Sequence, residues 1–529
     1  MAHQIITDGQ AVLGVEFGST RIKAVLTDKA GKVLAVGTHD WENHLENGLW
    51  TYSLAEIRQG LAQCYASLKS DVRARCGVTL TRLAGMGVSA MMHGYLAFDQ
   101  AGELLTPFRT WRNTNTGKAA AELSEKLQFN IPLRWTSAHL YQAVLDREEH
   151  VPRLHFVTTL AGYVHYLLTG ERVIGVGDAS GIFPIDSETC DYDAARMAAY
   201  EALIAPHGYS WRASELFPRV LPAGRDAGRL TAEGAALLDP EGDLTPGVPL
   251  CPPEGDAGTG MVATNSVAVG TGNVSAGTSI FAMVVTSHAL SKPWPELDMV
   301  TTPDGMPCAM VHCNNCTSDL NAWIGLFREF AETAGLHLTM DELFALLYHK
   351  AMEGEKDCGG LVSYPFLSGE PVAGLTAGVP MLLREPDAKM SLSTFMRTHL
   401  CSCFAVLKMG MDLLLKEEKL TVTRLTGHGG LFKTRGVAQA LLAGAVNAPI
   451  TVMENAGEGG AWGIALLAAY RLEGGEQPLG EWLNQRIFVD VPGTSLSPDA
   501  ADVAGFEQYM TRFRQSLCAQ KAVLPTEAR

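Results

Sequence analysis

The stretch between residues 12 and 36 constrains the fold more than any other part of the chain. Three short apolar runs, at 12–16, 24–26 and 33–36, are separated by turn-forming stretches at 17–21 and 28–32. Parallel strands need a crossover of about a dozen residues or more, and neither gap has room for one. The spacing therefore predicts an antiparallel meander rather than a strand followed by a crossover helix. Leu54, Ile57, Leu61, Tyr65 and Leu68 then recur at helical spacing, which predicts a helix packed on that sheet. Residues 82–90 read as a buried strand ending in Met91-Met92-His93-Gly94, and 160–168 as a helix.

A second region with the same habit starts near residue 262. Apolar runs at 274–277 and 280–285 flank Gly277-Thr278-Ser279, echoing Gly18-Ser19-Thr20 in the first region and suggesting an internal duplication. Residues 400–415 are apolar nearly all round and predict a buried helix. A strand ending at Leu425-Thr426 leads into a turn, Gly427-His428-Gly429-Gly430, and a helix over 437–446. A further helix over 461–470 follows Glu458-Gly459-Gly460. The expected organisation is two α/β domains, 1–262 and 263–500, with a cleft between them and a polar tail over 501–529. At roughly 100–200 residues per domain, a length of 529 residues suggests about three units or two large ones.

Charge excludes some partners. The net charge of −16 offers no basic footprint for nucleic acid or an anionic membrane. Residues 257–291 lack Asp, Glu, Lys and Arg, but glycines at 258, 260, 270, 272 and 277 interrupt them, so a ligand loop is expected rather than a membrane span. The N-terminal MAHQIITDGQ has no basic stretch leading into an apolar one, and the eleven cysteines read as reduced thiols, so a cytoplasmic location is expected. Cys313-Asn-Asn-Cys316 is a lone Cys-x-x-Cys without a second half at zinc spacing, and packed thiols are its default reading.

Several constellations could carry chemistry. In Gly14-Val-Glu16-Phe-Gly18-Ser19-Thr20-Arg-Ile-Lys23, a hairpin turn rich in Gly, Ser and Thr gathers N–H and hydroxyl groups suited to a phosphate, and Lys23 adds charge. Glu16 beside it could hold Mg²⁺ directly or through water. The same residues also suit an ordinary hairpin. No Gly-x-x-x-x-Gly-Lys-Ser/Thr is present, so the turn is not a P-loop. Asp256, in Glu254-Gly255-Asp256-Ala257-Gly258-Thr259-Gly260, is placed among small residues as a general base would be, or as a surface turn would be. Gly277, Thr278 and Ser279 form a second hydroxyl-bearing turn, and Gly429 and Gly430 offer bare backbone ahead of a helix. His93 could bond a polyol hydroxyl and Trp111 could offer a flat face to a sugar, or both could be core residues.

The order of these motifs resembles the FGGY family of carbohydrate kinases, most closely its xylulokinase branch, over about residues 11–475. The first turn resembles the family's opening G-I-D-x-G-T-S. Met92-His93-Gly94 resembles Q-M-H-G at the sugar site, and Asp178-Ala179-Ser180 resembles N-A-S. Gly255-Asp256 resembles G-D-N-A-A-G, the motif that carries the catalytic Asp. Ser275-Ala276-Gly277-Thr278-Ser279 resembles S-L-G-T-S, 364–370 resembles P-Y-L-x-G-E, and 427–430 resembles the adenosine G-G-G. The resemblance implies two ribonuclease-H-like domains of the actin and 70-kDa chaperone type, closing on ATP and Mg²⁺. It implies Asp256 as base, with Met92, His93, Gly94 and Trp111 at the sugar, and Glu16 and Asp256 near the metal. Gly18, Ser19, Thr20, Lys23, Gly277, Thr278, Ser279, Gly429 and Gly430 would then hold the nucleotide. The expected reaction is phosphorylation of D-xylulose. Ribulose, glycerol and erythritol stay open as acceptors, as do a sugar-binding regulator and a chaperone-like ATPase on the same fold. Assembly as a homodimer also stays open. Three departures stand out: Glu16 where the family has Asp, Met91 where it has Gln, and Trp111-Arg112-Asn113-Thr114-Asn115 where it has W-x-D-x-R.

Overall fold

The computed structural model describes residues 2–453, 459–489 and 491–524; Glu458 of the expected Glu-Gly-Gly lies outside them. The chain forms two compact units. Unit 1 comprises Met1–Val267, Met299–Cys308 and Asn455–Val491, and unit 2 comprises Ala268–Asp298, Ala309–Glu454 and Pro492–Arg529.

Unit 1 is built on a sheet of five strands: β1 (Val12–Phe17), β2 (Arg21–Thr27), β3 (Val33–Asp40), β4 (Gly85–Ala90) and β5 (Glu254–Gly255), in the order β5-β4-β1-β2-β3. The first three form the antiparallel meander, and β4 and β5 add in parallel. The strand expected over 82–90 begins only at Gly85, because the first backbone bond toward β1 comes from Ala84 N–H to Ala11 O. Helix α1 (Leu54–Cys76) starts at a Ser53/Glu56 capping box and ends at the left-handed Gly77, which satisfies both sets of orphan end groups. It covers one face of the meander with Ile57, Leu61, Tyr65 and Leu68, all buried.

Helix α2 (Asp256–Ala263) follows β5 directly, and helix α3 (Gly459–Glu473) packs on α2, β1 and β4. The approach of α3 is close enough that a Cβ on Gly14 of β1 would stand 2.0 Å from Ala461 O. The missing side chain at Gly14 is what lets a helix from late in the chain close on the sheet begun at residue 12.

In unit 2 the strand Thr271–Ala276 pairs antiparallel with Ile280–Val285 and parallel with Arg424–His428, which pairs parallel with Ile450–Met453. With Pro307–Cys313 beyond Ile280–Val285, the central order repeats that of unit 1, a hairpin partner on one side and parallel strands on the other. The strand Arg424–His428 includes Gly427 and His428, which were expected in the turn; the chain leaves the sheet only at Gly429. Gly427 is required by packing instead, since its Cβ would lie 2.6 Å from the Phe432 ring. The apolar helix Leu392–Asp412, continued by one π-turn, is the only helix among the described residues long and apolar enough to cross a membrane, and 83% of that window is buried within the chain. Residues 500–516 form a helix capped by Asp499, packed on the helix Val437–Val446.

Candidate active site

The hairpin turn between β1 and β2 carries the first phosphate candidates. Gly18 N–H donates to Arg21 O at 3.0 Å and closes the turn. Ser19 is half-buried and Thr20 exposed, and the N–H groups of both have no partner among the described residues. Lys23 lies on β2 directly across from Glu16, and its charge opposes the rise in the Glu16 pKa. Trp111, expected as a sugar platform, is exposed, and its indole N–H donates to Ser19 Oγ at 3.3 Å.

Asp256 begins α2. Its Oδ1 accepts the backbone N–H of Met92 at 3.0 Å and that of Ala257 at 3.0 Å. Oδ1 is thereby fixed, and Oδ2, on a solvent-exposed side chain, has no hydrogen-bond partner among the described residues. The protein packed around it raises its pKa, against the pull of those two amides. Glu16, at the end of β1, has its pKa raised to about 7, first by burial and then by the charge of Asp256. Glu16 Oε2 also accepts Ala461 N–H at 3.1 Å, at the N-terminus of α3, where a helix favours a negative charge. A pair of carboxylates close enough for the charge of Asp256 to raise the Glu16 pKa suits one hard cation. Mg²⁺ takes one or two carboxylates and completes its shell with water and phosphate oxygens, so Glu16 and Asp256 fit it.

Two more acids stand behind Asp256. Glu254, fully buried, accepts Gly177 N–H at 3.2 Å and Asp178 N–H at 2.9 Å, and burial lifts its pKa well above the usual carboxylate range. Asp178 accepts the Thr159 hydroxyl at 2.6 Å, and burial, more than the neighbouring Asp256, takes its pKa to about 7. Ser89 and Thr259 hydroxyls, 3.0 Å apart, tie α2 to β4.

The segment that follows β4 has an unusual backbone conformation. His93 has φ 70° and Gly94 φ 103°, two consecutive left-handed residues, a conformation that costs a non-glycine residue free energy and concentrates at functional sites. His93 is buried, its ring 6.4 Å from that of Trp135. The Thr136 hydroxyl fixes Gly94 O at 2.6 Å. Asn113 does not reach toward a ligand. It is buried, accepts Trp50 N–H at 2.9 Å, and donates to Trp50 O at 2.8 Å and Thr110 O at 3.1 Å. An aspartate could not make the two donations, which accounts for Asn at a place where the family has an acid.

In unit 2 the turn Gly277-Thr278-Ser279 is held by the Cys-x-x-Cys loop. Cys316 N–H donates to Thr278 O at 3.0 Å, and Thr317 donates to Gly277 O through its N–H at 3.2 Å and its hydroxyl at 2.8 Å. Cys313 and Cys316 are both buried. Gly429, φ 101°, presses on this turn's strand: a Cβ there would lie 2.4 Å from Ala276 O. Gly430 borders a cavity of about 580 Å³ lined also by Asn321, Phe344, Tyr348, Lys433 and Arg435, within the range of small-molecule sites. Sequence reasoning missed Asn321, Phe344 and Tyr348. Lys433 and Arg435 had a signal, two cations directly after a glycine turn.

The sequence matches the FGGY family of carbohydrate kinases, N-terminal domain, over residues 11–262, and the C-terminal domain of the same family over residues 272–472. The chain belongs to this family. Among curated relatives it is 22% identical to a xylulose kinase of Haemophilus influenzae over 95% of this chain and 99% of that one. It is 27% identical to an L-fuculokinase of Salmonella typhi over 46% of this chain and 50% of that one, so the chain spans about half the length of the L-fuculokinases it matches. The structure of a xylulose kinase from Rhodospirillum rubrum superposes with a TM-score of 0.78 at 21% identity, covering 96% of this chain and 98% of that one. These likenesses establish the two-domain α/β fold of the actin and 70-kDa chaperone type.

Proposed function

We propose that the chain transfers the γ-phosphate of ATP to a hydroxyl of a small sugar, with D-xylulose as the leading acceptor. The observation that carries this is Asp256: one carboxylate oxygen is fixed by the Met92 and Ala257 amides, and the other is open beside the strained His93-Gly94 segment. In this reading Asp256 Oδ2 takes the proton of the acceptor hydroxyl as that oxygen bonds to the γ-phosphorus. The bond from phosphorus to the bridging oxygen breaks, and ADP leaves. The Ser19 and Thr20 amides and Lys23 bind terminal phosphate oxygens, and Gly277, Thr278 and Ser279 bind the rest of the chain of phosphates. The cavity at Gly430, with the Phe344 and Tyr348 rings 5.6 Å apart, takes the nucleoside. Met92, His93, Gly94 and Trp111 border the acceptor. Mg²⁺ held by Glu16 and Asp256 would neutralise charge developing on the transferred group.

The xylulose kinase relative supports D-xylulose, and the L-fuculokinase relative keeps other ketoses in play. An ADP-release screen with ATP and Mg²⁺ across xylulose, ribulose, L-fuculose, glycerol and erythritol tests both. Acceptor-dependent release is expected, greatest with xylulose, and Asp256→Asn should lower it by about 10²–10⁴-fold. ADP release that is indifferent to every acceptor would defeat the kinase reading; activity confined to another acceptor would defeat only the choice of xylulose.

A further inference from the structure

The first phosphate turn is held from behind by two aromatic side chains that belong to none of the recognised motifs. The Trp41 indole N–H donates to Gly18 O at 2.7 Å, and the Tyr52 hydroxyl donates to Ser19 O at 2.7 Å. The backbone N–H of Trp41 donates to Thr20 O at 3.1 Å. All three carbonyls of the turn are therefore taken from the same protein layer. The two rings are stacked with centroids 4.0 Å apart, and Phe17 meets Trp41 edge-on at 5.6 Å. Tyr52 is 1% exposed, with Phe108 on its other side at 6.4 Å. Burial pushes the phenol pKa up to about 12, so it remains a hydrogen donor.

A peptide unit is planar and trans, so its C=O and the N–H of the next residue point in opposite directions. Fixing Gly18 O aims the N–H of Ser19 away from Trp41. Fixing Ser19 O aims the N–H of Thr20 away from Tyr52. These two amides have no partner among the described residues. Glu16, two residues before Gly18, lies beside the helix that Asp256 begins: a Cβ on Gly460 would stand 2.3 Å from Glu16 Oε1 and 2.7 Å from Thr259 Oγ1, so with Asp256 as the base the turn belongs with the phosphate that reacts.

We propose that Trp41 and Tyr52 are positioning residues that pre-aim the Ser19 and Thr20 amides at the terminal phosphates of the nucleotide. This inference rests on the phosphate-turn assignment above. It explains why two aromatic donors, the half-buried Trp41 and the buried Tyr52, are committed to two carbonyls of a loop that an ordinary hairpin would leave to water. Pre-aimed donors need no reorganisation when the anion arrives, so their loss costs affinity for terminal phosphates and little else.

The test is Tyr52→Phe and Trp41→Phe, each of which removes one donor and keeps an aromatic ring in the stack. Calorimetric titration of parent and variants with ATP–Mg²⁺ and with AMP is run beside steady-state kinetics on the best acceptor. Each variant should bind ATP about three- to tenfold more weakly, as expected for one lost hydrogen bond. The KM for ATP should follow, while AMP affinity and the KM for the acceptor stay within twofold. A loosened fold would instead weaken ATP, AMP and acceptor together, and that result overturns the proposal, as does unchanged ATP affinity in both variants. A parent that binds ATP but phosphorylates no acceptor would overturn the kinase reading alone, with the binding comparison still deciding this one.

Discussion

At the residue scale, the chain departs from its family where a side chain has taken a different physical job. Glu16 carries one more methylene than Asp, and its carboxylate reaches the Ala461 amide at the start of α3. Asn113 is the sharper case. Its amide completes a closed exchange with the backbone of Trp50, one bond in each direction, and donates a further bond to Thr110 O. Asn113→Asp would keep the accepting oxygen and point a second one at two carbonyls, in a site only 4% exposed. Leaving those acceptors unsatisfied should destabilise unit 1 by roughly 1–3 kcal/mol at neutral pH. Urea denaturation of the variant checks this, and equal midpoints for variant and parent would show that Asn113 is not the clamp described.

At the element scale, α3 is the part of the site that closes over the sheet and α2 together. A Cβ on Gly463 of α3 would lie 2.1 Å from Thr259 O on α2, and one on Gly460 would lie 2.3 Å from Glu16 Oε1. The first obstacle is backbone, which cannot swing aside. Gly463→Ala should therefore push the two helices apart, costing about 1–3 kcal/mol from overpacking and displacing Asp256 at the head of α2. Thermal melting and kcat are expected to fall together; a lowered melting temperature with full kcat would separate helix packing from base placement.

The same elements show what a sequence can and cannot reveal. The meander was legible because short apolar runs alternate with turns, a purely local signal. The helix at 459–473 was legible as an apolar helix, but its return to unit 1 was not, since its partners β1 and α2 lie hundreds of positions earlier in the chain. The glycine-rich setting of Asp256 suited a base or a surface turn alike, because the Met92 amide that fixes its Oδ1 is 164 residues away. Gly427 misled for a related reason. A glycine suggests a turn, yet here it makes room inside a strand for Phe432. Trp41 and Tyr52 carry no motif at all, and only the folded hairpin brings them to Gly18 and Ser19.

At the scale of the whole molecule, the proposed nucleoside site and the proposed acceptor site belong to different units, so their ligands should be separable by mutation. Gly430 offers the cleanest separation. It borders the cavity of unit 2, and a Cβ built on it meets nothing within 4 Å, in contrast to Gly429, which is held against Ala276 at φ 101°. Gly430→Val should therefore fold as well as the parent while filling part of the cavity. A ligand that binds only the folded state stabilises it by about 2.7 kcal/mol at a hundred times its Kd. ATP–Mg²⁺ should thus raise the parent's melting temperature, and should still raise that of Asp256→Asn, because that variant keeps the cavity. In Gly430→Val the melting temperature without nucleotide should match the parent and the nucleotide-induced rise should shrink. An undiminished rise in Gly430→Val would place the nucleoside elsewhere, even if Asp256→Asn abolished phosphorylation as expected.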